Sequence, residues 1–193
     1  MAGATHGDMG MHLEAGSQVD LAGTAASANG PLDLIAGLGM NLSADSQALA
    51  GGVLQARAGS TLMATGTMTS LGDLILEAAN QRLAGQHFAA GNLIMQTPGR
   101  LTTLAGSRQQ ANGSILARAD TAALAGMLVA GQAATLRAEK DLTLDGTVLA
   151  DAGALNASSG GDMALGGASA LQAGGSLQAQ ASGKLLALSL IHI

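Results

Sequence analysis

Few side chains in this 193-residue sequence could do chemistry: four histidines, thirteen carboxylates and eight Lys or Arg. His6, His12, His87 and His192 are scattered, with no His-x-x-x-His spacing and no carboxylate set, so they read as solvent-facing or terminal residues and not as metal ligands. The absence of cysteine excludes disulfides and thiolate sites. Gly160-Gly161-Asp162 has the form of a calcium-binding nonapeptide turn, but calcium is held by arrays of that motif and it occurs here once. Thr65, Thr67 and Thr69 alternate as in flat ice-binding arrays. The matching places elsewhere hold Ser43, Gly85, Leu104, Gly126 and Asp145, and one row is no array. Gly37-Leu38-Gly39 lacks the third glycine and the helix of a phosphate loop. No cofactor or metal is expected, and no catalytic residue.

What would position any site is a repeat. Coil starts at Met11, Leu32, Leu54, Leu74, Leu93, Ile115, Ala134, Leu155 and Leu177 are 19 to 22 residues apart. Two places after each start stand Leu13, Leu34, Ala56, Leu76, Met95, Ala117, Leu136, Ala157 and Ala179, all apolar. Four places after, every residue is small, from Ala15 to Ala181. Between them, only Ile35 is apolar among Glu14, Ile35, Arg57, Glu77, Gln96, Arg118, Arg137, Ser158 and Gln180. Alternation with period two means a β-strand with one face in and one out.

A second arm is read eight and ten places after each start, giving Val19, Met40, Leu62, Arg82, Leu101, Ala123, Leu142, Met163 and Leu185, then Leu21, Leu42, Ala64, Ala84, Thr103, Ala125, Leu144, Leu165 and Ala187. Leu49, Leu71, Phe88, Leu128, Leu149 and Leu171 form a looser third apolar position that absorbs the variation in repeat length. Glycine two places before the start, as at Gly52, Gly72 and Gly113, suggests a corner with positive φ. These features predict an all-β chain, a right-handed parallel β-helix of about nine coils of 19–22 residues.

Composition agrees with a narrow core. Apolar residues make up 48% of the chain, yet Phe88 is its one aromatic residue, so Ala, Leu, Met, Ile and Val must fill the interior. Helical repeats run to about 33–47 residues, and glycines this frequent would cost each helix roughly 1 kcal/mol apiece. A formal charge of −5 without a basic cluster argues against nucleic acid or anionic membrane as partner. No window of 18 apolar residues exists, so the chain is expected not to be membrane-embedded, and the first residues lack a signal peptide's basic start and apolar run. The chain is expected either to stay inside or to be an internal piece of something longer.

The coil Leu-x-[Leu/Ala]-x-Ala-x-Gly-x-Leu-x-[Leu/Ala]-x-Gly, seen over 54–66 and 155–167, resembles the haemagglutinin repeats of filamentous haemagglutinin. Related repeats fill the shafts of contact-dependent inhibition toxins and other two-partner secretion exoproteins. The resemblance covers residues 11 to 187. It implies a right-handed helix, export through an outer-membrane secretion partner, a secreted or cell-surface location, and a stalk that holds a distal adhesive or toxic domain away from the cell. Neither a secretion domain nor a toxin is found in these residues, so adhesion or killing is not assigned to them. Residues 1–10 are expected to be a partial or frayed first coil and 11–187 the repeat domain. The tail from Leu188 to Ile193, Leu-Ser-Leu-Ile-His-Ile, reads as the translation of a common sequencing-adapter end, and it also breaks the repeat's small and polar rhythm.

Three functions follow, in order: a stalk with no activity of its own, a face that binds host glycan or a bacterial or host receptor, and a carbohydrate-active enzyme. The binding face would use Arg57, Arg118 and Arg137, which share one outward column and could form a basic stripe. An enzyme would need carboxylates on one face of adjacent coils, whereas Glu14 and Glu77 share a column but are expected three coils apart, too far for joint catalysis at ~4.8 Å per coil.

Overall fold

The computed structural model describes residues 3–188, which contain 23 strands and no helix. Each strand pairs in parallel with those one coil before and after it, forming a β-solenoid of about nine coils. The nine starts, Met11 to Leu177, are aligned without a break: Leu54 pairs with Leu32 and Leu74, Ile115 with Leu93 and Ala134. At ~4.8 Å per coil the stack is a rod roughly 40 Å long.

Each coil has three faces, covered by three separate strands or, in coils 3, 4, 6 and 7, by two strands of which the longer spans two faces. In the second coil the three strands are β5 (Leu32–Ala36), β6 (Gly39–Leu42) and β7 (Gln47–Ala50). The strand before the first start, β1 (Ala4–Gly7), pairs with β4 (Thr24–Ser27) and so lies on the third face, one coil earlier.

The corners, not one loose apolar position, set the repeat length. Coils 2, 5 and 8 are the 22-residue coils, and in each the bend from the second face to the third is a four-residue turn. Ser46, Ser107 and Ser169 close these turns, each hydroxyl donating to the carbonyl three residues back at 2.6–2.8 Å. Coils 4 and 6 instead lose one residue at the bend from the first face to the second. There the ladder steps from Ala58–Ala78 to Thr61–Asn80.

That lost residue corrects the second arm in two coils. Gln81 and Leu83 point inward where Arg82 and Ala84 were expected, and Ala122 and Leu124 replace Ala123 and Ala125. A one-residue slip exchanges the faces of a strand, and the exposed Arg82 is thereby kept out of the core. The third position is corrected too. Only Leu128 and Leu171 of its six residues point inward, in a buried column with Ala25, Ala48, Met68, His87, Gln109 and Val148. Leu49, Phe88 and Leu149 lie in the adjacent outward column, and Leu71 is 64% exposed at a corner.

Of the seam glycines only Gly10, one place before its coil start, has positive φ; among the described residues that conformation is otherwise confined to Gly3, Gly106 and Gly126. Close approach between coils explains the seam. A Cβ on Gly72 would lie 3.1 Å from the backbone of Gly52 and Val53, and one on Gly113 would lie 2.8 Å from the Gly91 carbonyl.

The core is a set of vertical ladders. Leu32, Leu54, Leu74, Leu93 and Ile115 stack in one column and Leu34, Ala56, Leu76, Met95 and Ala117 in the next, all essentially without solvent exposure. Small residues beside large ones let the three sheets close on a thin interior. Leu76 fills the middle of its column, so Leu76→Ala is expected to cost about 2–5 kcal/mol in urea unfolding. The same change at the corner residue Leu71 should cost less than about 0.5 kcal/mol.

Candidate functional site

Side chains that point out of the first face form two outward columns, and the column three places after the start holds the arginines. Its order in space is Glu14, Ile35, Arg57, Glu77, Gln96, Arg118, Arg137, Ser158 and Gln180, one residue per coil. The arginines therefore share a face but do not form a continuous stripe. Arg57 donates from Nε to Glu77 Oε2 at 2.6 Å, and its charge is balanced one coil on. Arg137 donates from Nε to Glu139 Oε1 at 3.0 Å. Arg118 lies directly beside Arg137 and has no ion pair among the described residues.

Two shallow grooves flank this column at the corner toward the second face. One of about 400 Å³ is lined by Arg57, Gly59, Glu77 and Pro98. The other, of about 350 Å³, is lined by Pro98, Arg118, Asp120 and Glu139. Lys140 donates to Asp120, one of the residues that line the second groove, at 2.9 Å. Both grooves are open and carry opposite charges side by side, an arrangement that can donate and accept hydrogen bonds but gathers no single charge.

Carboxylates elsewhere hold corners together. Asp73 Oδ1 accepts from the Asn92 backbone N–H at 2.7 Å, and Asn92 Oδ1 accepts from Ser114 N–H at 2.9 Å. Asp141 and Asp162 make a second such ladder, accepting from the N–H of Asp162 and of Lys184. Each side chain satisfies a backbone donor of the next coil that the corner leaves without a strand partner. Among the described residues no group of three or more His, Cys, Asp or Glu could hold a metal ion. Glu14 and Glu77 are three coils apart in register, ~14 Å at the spacing of parallel strands.

Of the histidines, His12 is half exposed and contacts Glu14 at 3.2 Å, as a solvent-facing residue would. His87 overturns that reading. It is buried in the inward column of the third face, 1% exposed, directly after Met68 and before Gln109. Its Nδ1–H donates to Gln109 Oε1 at 2.6 Å, while His87 Nε2 and Gln109 Nε2 have no hydrogen-bond partner. Burial pushes the imidazole pKa down to about 4, the bond to Gln109 opposing only part of that fall. The sequence reading placed this residue in solvent, although strict alternation from Leu83 through His87 to Ala89 places it inward. His192 lies outside the described residues, as does the tail from Ser189 onward.

No family model matches the chain, and no curated protein and no solved structure matches it either. No helix among the described residues is long and apolar enough to cross a membrane.

Proposed function

We propose that the chain is a shaft segment, the stalk or presentation module of a large secreted or cell-surface bacterial adhesin or contact-dependent growth inhibition toxin. In this reading it has no catalytic activity and is exported through an outer-membrane partner. The observation that carries the reading is the unbroken ladder. Inward columns persist through nine coils, while the outward positions change type from coil to coil. Selection for length and stiffness needs the first and is indifferent to the second. The secretion route and surface location rest on the resemblance of the coil over 54–66 to haemagglutinin repeats.

A shaft tolerates loss of whole coils. Deleting 54–114, three complete coils, should leave a folded rod shorter by ~14 Å in small-angle scattering. Deleting one and a half coils should abolish folding, since the strand ends would no longer meet their columns. Equal stability of the two deletions would refute the shaft reading.

A second reading is favoured by one observation, the unpaired Arg118 at the edge of the smaller groove. A glycan or receptor would then bind there. Glycan arrays comparing the wild type with the Arg57/Arg118/Arg137 triple alanine variant decide between the two. Background signal from both proteins fits the shaft, and a specific signal lost in the variant would replace it with a binding module.

A further inference from the structure

The first face carries a second outward column, one place after each start, and its chemistry changes abruptly along the rod. Coils 4, 5 and 6 place Ile75, Ile94 and Leu116 in direct register, each partly exposed. Gln55 precedes this run and Thr135 follows it. The corresponding outward ladder of the third face is interrupted, with Thr69 beside Phe88 and Gln110 after it. Three stacked aliphatic side chains rimmed by polar ones are the pattern of an interaction patch.

The neighbouring column gives this patch a direction. Glu77 lies two places along the strand from Ile75, Gln96 from Ile94, and Arg118 from Leu116. The acid and the base therefore stand symmetrically on either side of the central coil. We infer that this face pairs with the same face of a second copy, the two rods running antiparallel about a two-fold axis that passes through Ile94 along the strand direction. Such an axis sets Ile94 against Ile94, Ile75 against Leu116, and Glu77 against Arg118 of the other copy, the last pair occurring twice. A parallel pair, with its two-fold axis along the aliphatic column, would also set Ile94 against Ile94, but it would carry the Glu77–Arg118 column of each copy to opposite sides of that axis and leave no charge pair between the copies. Arg57 and Arg137 face each other in the antiparallel pair, but each has its own carboxylate partner, Glu77 and Glu139. Within one chain Glu77 and Arg118 are two coils apart, ~10 Å, and Glu77 already accepts from Arg57, so Arg118 of the other copy shares this carboxylate with Arg57. The patch is small beside the ~800 Å² per partner of stable complexes, so association is weak and concentration-dependent.

Sedimentation equilibrium on the whole chain, from about 10 µM to about 1 mM, reads the association directly. The wild type forms dimers and Ile94→Glu does not. Glu77→Arg and Arg118→Glu each weaken dimerisation about tenfold, and the double swap restores it. The chain has no cysteine, so single cysteines report register under mild oxidation. Ile94→Cys cross-links to itself, and Gln55→Cys cross-links to Thr135→Cys in a mixture but not to itself. Circular dichroism checks that each variant keeps its fold. A wild type that stays monomeric throughout, charge variants of unchanged affinity, or Gln55→Cys cross-linking to itself would each overturn the inference.

Discussion

Acidification from pH 7 to pH 4 is expected to remove about 3 kcal/mol of stability through His87 alone. Its folded-state pKa of about 4 lies below the ordinary value of 6.5, so the unfolded chain takes up the proton first. Stability from this group is complete above pH 6.5, falls as the pH drops from 6.5 toward 4, and levels off below that. The physical cause is in the core. A protonated imidazole would bring a second N–H to Nε2, which has no acceptor, in an interior lined by Met68 and Leu128. The double variant His87→Met/Gln109→Leu gives this column the residue types of neighbouring coils and removes both unpartnered nitrogens. It should be more stable than the wild type at pH 7 by about 1–3 kcal/mol, with a larger gap at pH 4.5. Urea midpoints of both proteins at the two pH values measure this. A gap that stays constant would show that His87 is not the acid-labile element.

Gly85→Ala is expected to cost about 3 kcal/mol, the upper end of what overpacking costs and comparable to truncating a core leucine. Its φ is not positive, so the cost is steric and not conformational. An added Cβ would press on the Gly66 carbonyl and lie 2.7 Å from the Thr65 carbonyl, both rigid backbone of the preceding coil. Gly16 provides the control. Nothing lies within 4 Å of a Cβ built there, so Gly16→Ala should change stability by less than about 0.5 kcal/mol and could raise it. Thermal melts of the two variants test the account. Equal losses at both positions would mean that these glycines serve backbone freedom and not the spacing of coils.

The first face was legible in the sequence because its three inward places recur at fixed spacing from each start. All nine starts align in the ladder as read, down to Ala134, whose small side chain carries little signal alone. Legibility decayed along each coil, since every corner can gain or lose a residue and each odd change exchanges inside for outside. Ala79 spans a bend that takes Gly59-Ser60 one coil earlier, and this single residue is why Arg82 was expected where Gln81 stands. Gln81 gives no hydropathic clue; its side chain is accommodated by donating to the carbonyls of Leu76 at 2.9 Å and Gln96 at 2.7 Å. Phe88 misled for a related reason. It was read into the third apolar position, but parity gives the inward place to His87 beside it. Residue type is a weaker guide than register wherever a strand is only four residues long. Of the arginine stripe, the shared column was legible but the ion pairs were not. Glu77 reaches Arg57 as its coil-to-coil neighbour, and Glu139 reaches Arg137 from two residues along the chain, just past the end of the strand.

The vertical stacking of coils is tested most directly by distances along one outward column. With nitroxide labels at cysteines introduced in pairs, double electron–electron resonance should give ~24 Å for Glu14 with Arg118, five coils apart, and ~38 Å for Glu14 with Gln180, eight coils apart. Separation that grows in proportion to coil number is what the stack requires. Distances that fail to rise from the first pair to the second, or that spread broadly, would contradict it.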